Sequence, residues 1–596
     1  MGVFINNCCF QIQIKSESVC ERKRAPKNFP LVTINTEDYI QFEHNYDSHQ
    51  LSPKFQNKSS SLRNFTDFLV DNNINDPNCE NDDVSIKSKS LKLSKHLTSS
   101  FSKTNFLKFV KLSKGEEQDL PQDHYVKLAP LGMGAYGRVY KVKNIHTSQI
   151  RSLKVISKKH AHKAQYKDIS KELKILQTLD HPNIIKVFES YEDDHNFFIV
   201  SEICQGGDLL AKLNKIGRAT EFEAKYIMKQ LISSVNYIHE RNIIHGDIKM
   251  ENIMIDYESM CPKNNQYKYE IKLIDFGSST FILSGHFSKL TEIIGTSHYL
   301  SPEAISGHFS SMCDIWSCGI VLYTLLAGEF PFYKHYQNCE DYELFNMIKE
   351  GKINFEQNEY ISNISKEARD LILSLLQVDP IKRITAKEAL RNEWLNKYCE
   401  DDCPVESKLK ENLRRRASFI FELLHDHRKE LKFEHLVKTF FTHYYYNSED
   451  LTSIKEVFKL IDVDNTGTIS KQNLLDYLKS GNHNLETKKF DINSMIDKLD
   501  FKGLGELEFG EFIEASVETS KLLNEQVLLE SYSLCNKHKE DSVTIIRFIN
   551  FFAKGVEISN DQRMEFKNEI HKLGFKNENI NYEKYKSILK SLLNNN

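Results

Sequence analysis

The sequence predicts a multidomain chain: an α+β domain over 125–395, then an all-α tail, behind an N-terminal extension with no readable period. Three observations carry this. Within 125–395, alternating apolar text such as RVYKV gives way to helical text such as EAKYIMKQLISSVNYIHE. Short polar motifs succeed one another in order through the same span. Beyond Asn447 an apolar position recurs every 36 to 38 residues, and a fixed period marks a repeated supersecondary unit.

Composition sets outer limits. A chain of 596 residues is too long for one core and implies roughly three or four domains. Forty per cent hydrophobic, 27% charged and a net charge of −4 give no sign of a nucleic-acid partner, and a monomer is expected. The longest apolar stretch, 315–328, is shorter than a bilayer span and contains Ser and Gly, so it reads as a buried core helix. The 12 cysteines include no CxxC zinc spacing, and no secretory signal is present. A reducing, cytoplasmic setting follows.

Residues 1–124 read as a largely disordered extension. Between Ser85 and Gly115 there is no acid while Lys and Ser recur, which suits a basic linker or a surface facing anionic membrane. The opening MGVFINNCC makes Gly2 a myristoyl acceptor, although Asn6 stands where the pattern favours Ser or Thr. One acyl chain binds membrane only marginally, so Cys8 and Cys9 are read as palmitoyl acceptors. The alternative is an incidental Met-Gly start with idle cysteines.

The α+β domain opens with LGMGAYGRV, residues Leu131, Gly132, Met133, Gly134, Ala135, Tyr136, Gly137, Arg138 and Val139. It lies inside strand-like text, so it reads as a glycine hairpin whose N–H groups can close over phosphates rather than as a dinucleotide turn. Lys154, on a following strand, needs a partner, and Glu172 sits 18 residues on in a helical pattern. HGDIKMEN then offers Asp247 to orient a substrate hydroxyl and accept its proton, Lys249 beside the phosphoryl group, and Asn252 for Mg²⁺. IDFG supplies Asp275, an anionic Mg²⁺ ligand. Glu303 is expected to pair with Arg383.

These motifs, in this order and spacing, resemble the eukaryotic protein kinase family. The resemblance implies a bilobal fold, ATP and Mg²⁺ as cofactors, and an ATP site that includes 131–139, Lys154, Ser201, Glu202 and Cys204, with Ser201 gating the pocket behind the adenine. Gly246 stands where many such kinases carry the arginine that grips an activation-loop phosphate. Glu292 occupies the phospho-acceptor position, so the resemblance implies an active enzyme not switched by phosphorylation there. Asp208 and Glu251 fall where the family recognises basic residues upstream of the target Ser or Thr.

In the tail, FKLIDVDNTGTISKQNLLDYL runs from an apolar helix end through an Asp-rich loop and a glycine to a β-like Ile469, the layout of an EF-hand calcium loop. Matching apolar positions are Leu507, Val543 and Ile580, giving two EF-hand pairs, 451–520 and 521–596. The first loop offers Asp462, Asp464, Thr466, the Thr468 backbone and Ser470, with Asn473 in place of the closing Glu, so weakened Ca²⁺ affinity is expected. The second keeps Asp500 and Glu511, but Lys502 and Leu504 replace oxygen ligands. The third and fourth units lack both the opening Asp and the closing Glu.

With this tail the whole chain resembles the calcium-dependent protein kinases of plants and protists. That implies a junction segment, here 396–450, that blocks the kinase until Ca²⁺ relieves it. LRRRASF within it places Ser418 after three arginines, as a pseudosubstrate or self-phosphorylated switch, or else as part of a basic helix face. Two other readings stay open: a kinase with a calcium-blind tail, and a nucleotide-binding scaffold.

Overall fold

The computed structural model describes residues 108–111 and 121–593, except 135–136, 159–162, 262–264, 282–287, 290–295, 333–340, 357, 397–406, 428–431, 446–447, 481–489, 519–521, 537–539 and 554–557. Gly2, Cys8, Cys9, Ala135, Tyr136 and Glu292 lie outside the described residues.

The first lobe is a six-stranded sheet. Its strands are β1 (Lys108–Lys111), β2 (Tyr125–Gly134), β3 (Gly137–Asn144), β4 (Ile150–Ser157), β5 (Val187–Glu192) and β6 (Asn196–Ser201). Their order across the sheet is β1-β5-β6-β4-β3-β2. Strands β2 and β3 form the glycine hairpin, with Gly134 opposite Gly137. Strand β1 departs from the expectation of an unpatterned extension: it pairs in parallel with β5, Lys108 opposite Glu189. A four-residue edge strand is shorter than the window over which a period can be read. Helix α1 (Lys163–Thr178) follows the sheet's third antiparallel strand in sequence and carries Glu172.

The second lobe is helical, built around α2 (Leu209–Ile216), α3 (Glu221–Glu240) and α4 (Ser311–Ala327). Thr220 and Glu223 form a capping box that satisfies the first N–H groups of α3, with the Thr220 N–H donating to Glu223 at 2.9 Å. Met228, Leu231, Ile232 and Val235 then recur at helical spacing and are fully buried. Burial of each such side chain contributes about 2 kcal/mol. Helix α4 is the apolar 315–328 stretch, and it is core: Trp316, Ile320 and Val321 are fully buried. Among the described residues no helix is long and apolar enough to cross a membrane. Arg383 donates to Glu303 through both terminal nitrogens, at 2.6 and 2.9 Å, so the pair read from the sequence is present. Among the described residues Cys204, Cys313, Cys318 and Cys535 are free thiols.

The tail has two junction helices, α5 (Ser407–Asp426) and α6 (Lys432–Tyr445). The first EF-hand pair follows as α7 (Ser448–Ile461), α8 (Lys471–Lys479), α9 (Ile492–Leu499) and α10 (Phe509–Ser516). The second pair is α11 (Glu525–Cys535), α12 (Ile545–Phe552), α13 (Asn560–Lys572) and α14 (Tyr582–Leu593). Each pair is joined by the expected β bridge: Ile469 faces Leu507, and Val543 faces Ile580. One apolar core runs from Ala417 to Leu593 and takes in both junction helices. Phe421 of α5 stacks on Tyr477 at 5.2 Å, while Phe433 of α6 packs among Phe548, Phe552 and Phe566.

Tail and kinase domain meet through charge. Glu270 on the kinase side takes Lys459, Lys455 at 3.2 Å, and the Tyr226 hydroxyl at 2.6 Å. Burial pushes the Glu270 carboxyl up, but the two ammoniums outweigh it and hold the group well below the usual carboxylate range. Gly467 lies flat against the His181 ring, where a Cβ would come within about 2 Å of the imidazole.

Candidate active site and calcium loops

Lys154 stands mid-sheet on β4, opposite Val139 and Ile199. Its ammonium lies 3.9 Å from the buried Glu172 carboxylate. Burial pushes the Glu172 carboxyl above its ordinary range, opposed by Lys154 and reinforced by the Asp275 charge.

The catalytic loop is closely knit. Lys249 donates to Asp247 at 2.6 Å and to Thr296 at 2.9 Å, and Thr296 in turn donates to the other Asp247 oxygen at 3.2 Å. The Asn252 amide donates to the Asp247 carbonyl at 2.8 Å. Its nitrogen is thereby committed, and its oxygen is the atom suited to Mg²⁺. Asp275 sits at a positive φ of 63° and accepts from the Gly277 N–H at 3.4 Å. Asn252 and Asp275 fit a hard cation that prefers oxygen. Bound there, Mg²⁺ would neutralise phosphate charge, and in this arrangement Asp247 would be placed to orient a hydroxyl and Lys249 to offer a positive charge beside the transferring group. The hydrogen bonds of Asp247, Lys249 and Asn252 all stay within the kinase domain.

Gly246 answers for the missing arginine in part. Its φ is +80°, and a Cβ there would meet Phe309 at 2.9 Å and the Ser278 carbonyl at 3.1 Å. Its N–H and that of His245 are both held by Asp314 at 2.9 Å. The loop is therefore held in a backbone shape in which, beside Phe309 and Ser278 of this chain, a side chain costs about 1–2 kcal/mol.

The nucleotide end contains a residue that sequence reading missed. Ser152 pairs its hydroxyl with that of Ser201 at 2.7 Å and approaches the Glu202 carbonyl at 3.2 Å. Only the strand register, Ser152 opposite Ser201, could have signalled it. Glu202 is anchored by Lys272 at 2.8 Å. Burial pushes the Cys204 thiol far up, so it is a poor nucleophile. Leu131 and Met133 are exposed on the hairpin.

Of the two recognition acids, Asp208 spends one oxygen capping α2, accepting from the Ala211 N–H at 2.7 Å. Glu251 is different. One of its carboxylate oxygens is buried and has no hydrogen-bond partner. Burial pushes this carboxyl up.

The first calcium loop is folded around Asp462, which accepts from the N–H groups of Thr466 and Gly467, both at 2.9 Å. Gly467 makes the turn at φ +78°. Burial pushes the Asp462 carboxyl well up. Asn473 departs from the expected neutral oxygen ligand. Its oxygen caps α8, accepting from the Ser470 N–H at 2.8 Å, and its amide donates to Asp464 at 2.9 Å. The capping box claims the oxygen because the helix start leaves N–H groups to satisfy. Asp462, Asp464, Thr466 and the Thr468 carbonyl remain for Ca²⁺, fewer carboxylates than a tight site uses. Among the described residues, no group of three or more His, Cys, Asp or Glu side chains is gathered for a metal.

In the second loop Asp500 accepts from Gly503 at 2.6 Å, Leu504 at 3.0 Å and Gly505 at 2.7 Å. Glu511 accepts from the N–H groups of Lys502 at 3.1 Å and Glu508 at 3.0 Å. Burial pushes the Glu511 carboxyl up to about 8, against the pull of Lys502. The Lys502 ammonium closes onto Glu508.

Ser418 lies on α5 beside fully buried Ala417 and Ile420, and its hydroxyl oxygen is buried without a hydrogen-bond partner. Arg415 pairs with Glu411 at 3.1 Å, and Arg416 reaches Glu518 at 4.0 Å.

Residues 125–395 match the protein kinase domain, and 451–516 match the EF-hand domain pair. Calcium-dependent protein kinase 3 of Plasmodium berghei (strain Anka) is 33% identical over 432 residues, 72% of this chain and 72% of the relative. Calcium-dependent protein kinase 5 of Plasmodium falciparum (isolate 3D7) is 29% identical over 435 residues, 72% of each chain. An ordered phosphotransfer site ahead of paired EF-hand bridges, together with these relatives, places the chain in the calcium-dependent protein kinase family, as a Ser/Thr protein kinase with a C-terminal EF-hand domain.

Proposed function

We propose that this kinase phosphorylates Ser or Thr preceded by basic residues, and that Ca²⁺ entering the first EF-hand loop raises its activity through the tail. The observation that carries the substrate reading is Glu251. A buried carboxylate oxygen without a partner is costly, and an arginine of the substrate that reached the half-buried Glu251 side chain would offset that cost through its charge. Acylation at Gly2, Cys8 and Cys9 would hold the enzyme at the cytosolic face of a membrane. Ser418 would become a target only once α5 leaves the tail core.

The test is transfer to an Arg-x-x-Ser peptide with Mg²⁺-ATP in EGTA, then across a Ca²⁺ titration. Activity that climbs with Ca²⁺ is expected, with KM for the peptide at least tenfold higher in Glu251→Gln. An unchanged KM would remove the basic-context reading. Equal activity with and without Ca²⁺ would favour a second reading, a kinase with a calcium-blind tail, to which the committed oxygen of Asn473 already lends weight.

A further inference from the structure

Lys502 occupies the third position of the second EF-hand loop, where a Ca²⁺ ligand would stand. Its side chain turns inward, 8% exposed, onto a Glu508 carboxylate that is 1% exposed. Glu508 is the ninth residue of that loop, and Glu511 the twelfth. The ammonium thus sits among acids that a bound cation would otherwise neutralise. The rest of the loop is already in its folded arrangement, with three N–H groups wrapped on Asp500 and two on Glu511.

The same carboxylate is one of the contacts between tail and kinase. Its other oxygen accepts from the Tyr237 hydroxyl at 2.5 Å and from Arg241 at 2.7 Å. Two residues further, the Gly510 N–H donates to Asp180 of the kinase domain at 2.9 Å. A buried carboxylate needs paired positive charge and satisfied lone pairs, and Glu508 obtains both only when the loop is closed and docked.

We propose that the Lys502 ammonium takes the place of the cation in the second EF-hand loop, and that this self-filled loop is the calcium-independent dock of the tail on the kinase domain. A tethered ammonium is always present at its site, unlike an ion whose occupancy follows concentration. The second loop is then closed at every Ca²⁺ level. The inference does not require that the first loop responds to Ca²⁺, so it stands or falls apart from the calcium reading above.

The experiment is hydrogen exchange on the full chain, followed at the amides of Gly503, Leu504, Gly505 and Gly510, in EGTA and in Ca²⁺. In the wild type these amides should be protected in EGTA, and Ca²⁺ should change that protection less than twofold. Lys502→Met should lose at least tenfold of it at all four, while Lys502→Arg, which keeps the charge, should restore most of it. Protection that develops in the wild type only with Ca²⁺ would overturn the proposal. So would a Lys502→Met chain as protected as the wild type. If Lys502→Met does not fold, the wild-type comparison and Lys502→Arg still decide.

Discussion

Lys154 meets Glu172 at 3.9 Å in the nucleotide cleft, whereas Lys502 closes directly onto Glu508 in the second EF-hand loop. The two pairs have the same chemistry and differ in exposure: the Lys154 side chain is 21% exposed and that of Lys502 8%. A loose, accessible pair leaves room for phosphate oxygens to compete for the ammonium. A tight, buried pair leaves none, and its carboxylate is claimed from the far side by Arg241 and Tyr237. The lesson is that a buried lysine–glutamate pair is a binding site when it is incomplete and a structural joint when it is complete.

The largest break is chemical. Lys154→Met should lower phosphate transfer on the order of 10²–10³-fold with the tail's unfolding unchanged. Single-turnover transfer to a peptide reads it, and near-normal turnover would sink the assigned role. Next comes Lys502→Met, which should lower the tail's stability by about 2 kcal/mol, the scale of one hydrogen bond to a charged group. Hydrogen exchange at the tail's amides across a urea series measures this, and an unmoved midpoint would mean that the pair is no joint. Lys502→Asp sharpens the contrast by turning the joint back into a site. Calorimetry should then detect one more Ca²⁺ per chain than in the wild type, and equal stoichiometry would count against it.

Gly246→Ala tests the catalytic loop without touching either pair. A side chain at positive φ costs about 1–2 kcal/mol, and crowding against Phe309 adds to it. Thermal unfolding of the kinase domain should show the loss. The smallest effect is a pH shift. Burial raises the Glu172 carboxyl, so as pH falls it takes up a proton sooner than an ordinary glutamate, and the ion pair with Lys154 goes with it. The acid limb of kcat/KM should therefore lie above the usual glutamate range. Glu172→Gln should abolish that limb, and a limb that survives belongs to another group.

Much of this is legible in the sequence. The motif order pointed to the kinase domain over 125–395, and the spacing of Ile469, Leu507, Val543 and Ile580 foretold which residues bridge in each EF-hand pair. Both are signals of local sequence. What escaped depends on residues far apart in the chain. The Lys455 and Lys459 ammoniums find Glu270 across nearly 190 positions, and Glu508 finds Tyr237 across 271. In the sequence Lys502 reads as the loss of an oxygen ligand, which is correct for an open loop. Its side chain is long enough to fold back on Glu508, and no spacing rule announces that choice. Asn473 shows the same limit, since one oxygen could serve a cation or a helix cap and the helix took it.

The second EF-hand pair, poor in ligands, still shares its apolar core with the first, through Phe433 and its neighbours on α6. Shared side chains make shared melting. The tail should unfold in a single calorimetric transition, its two pairs as one cooperative block, with the ligand-poor half supplying heat of unfolding to the half that faces Ca²⁺. A chain cut after Ser516 would leave Phe433 and Phe441 facing water, and the first pair would lose its cooperativity before it lost a single calcium ligand.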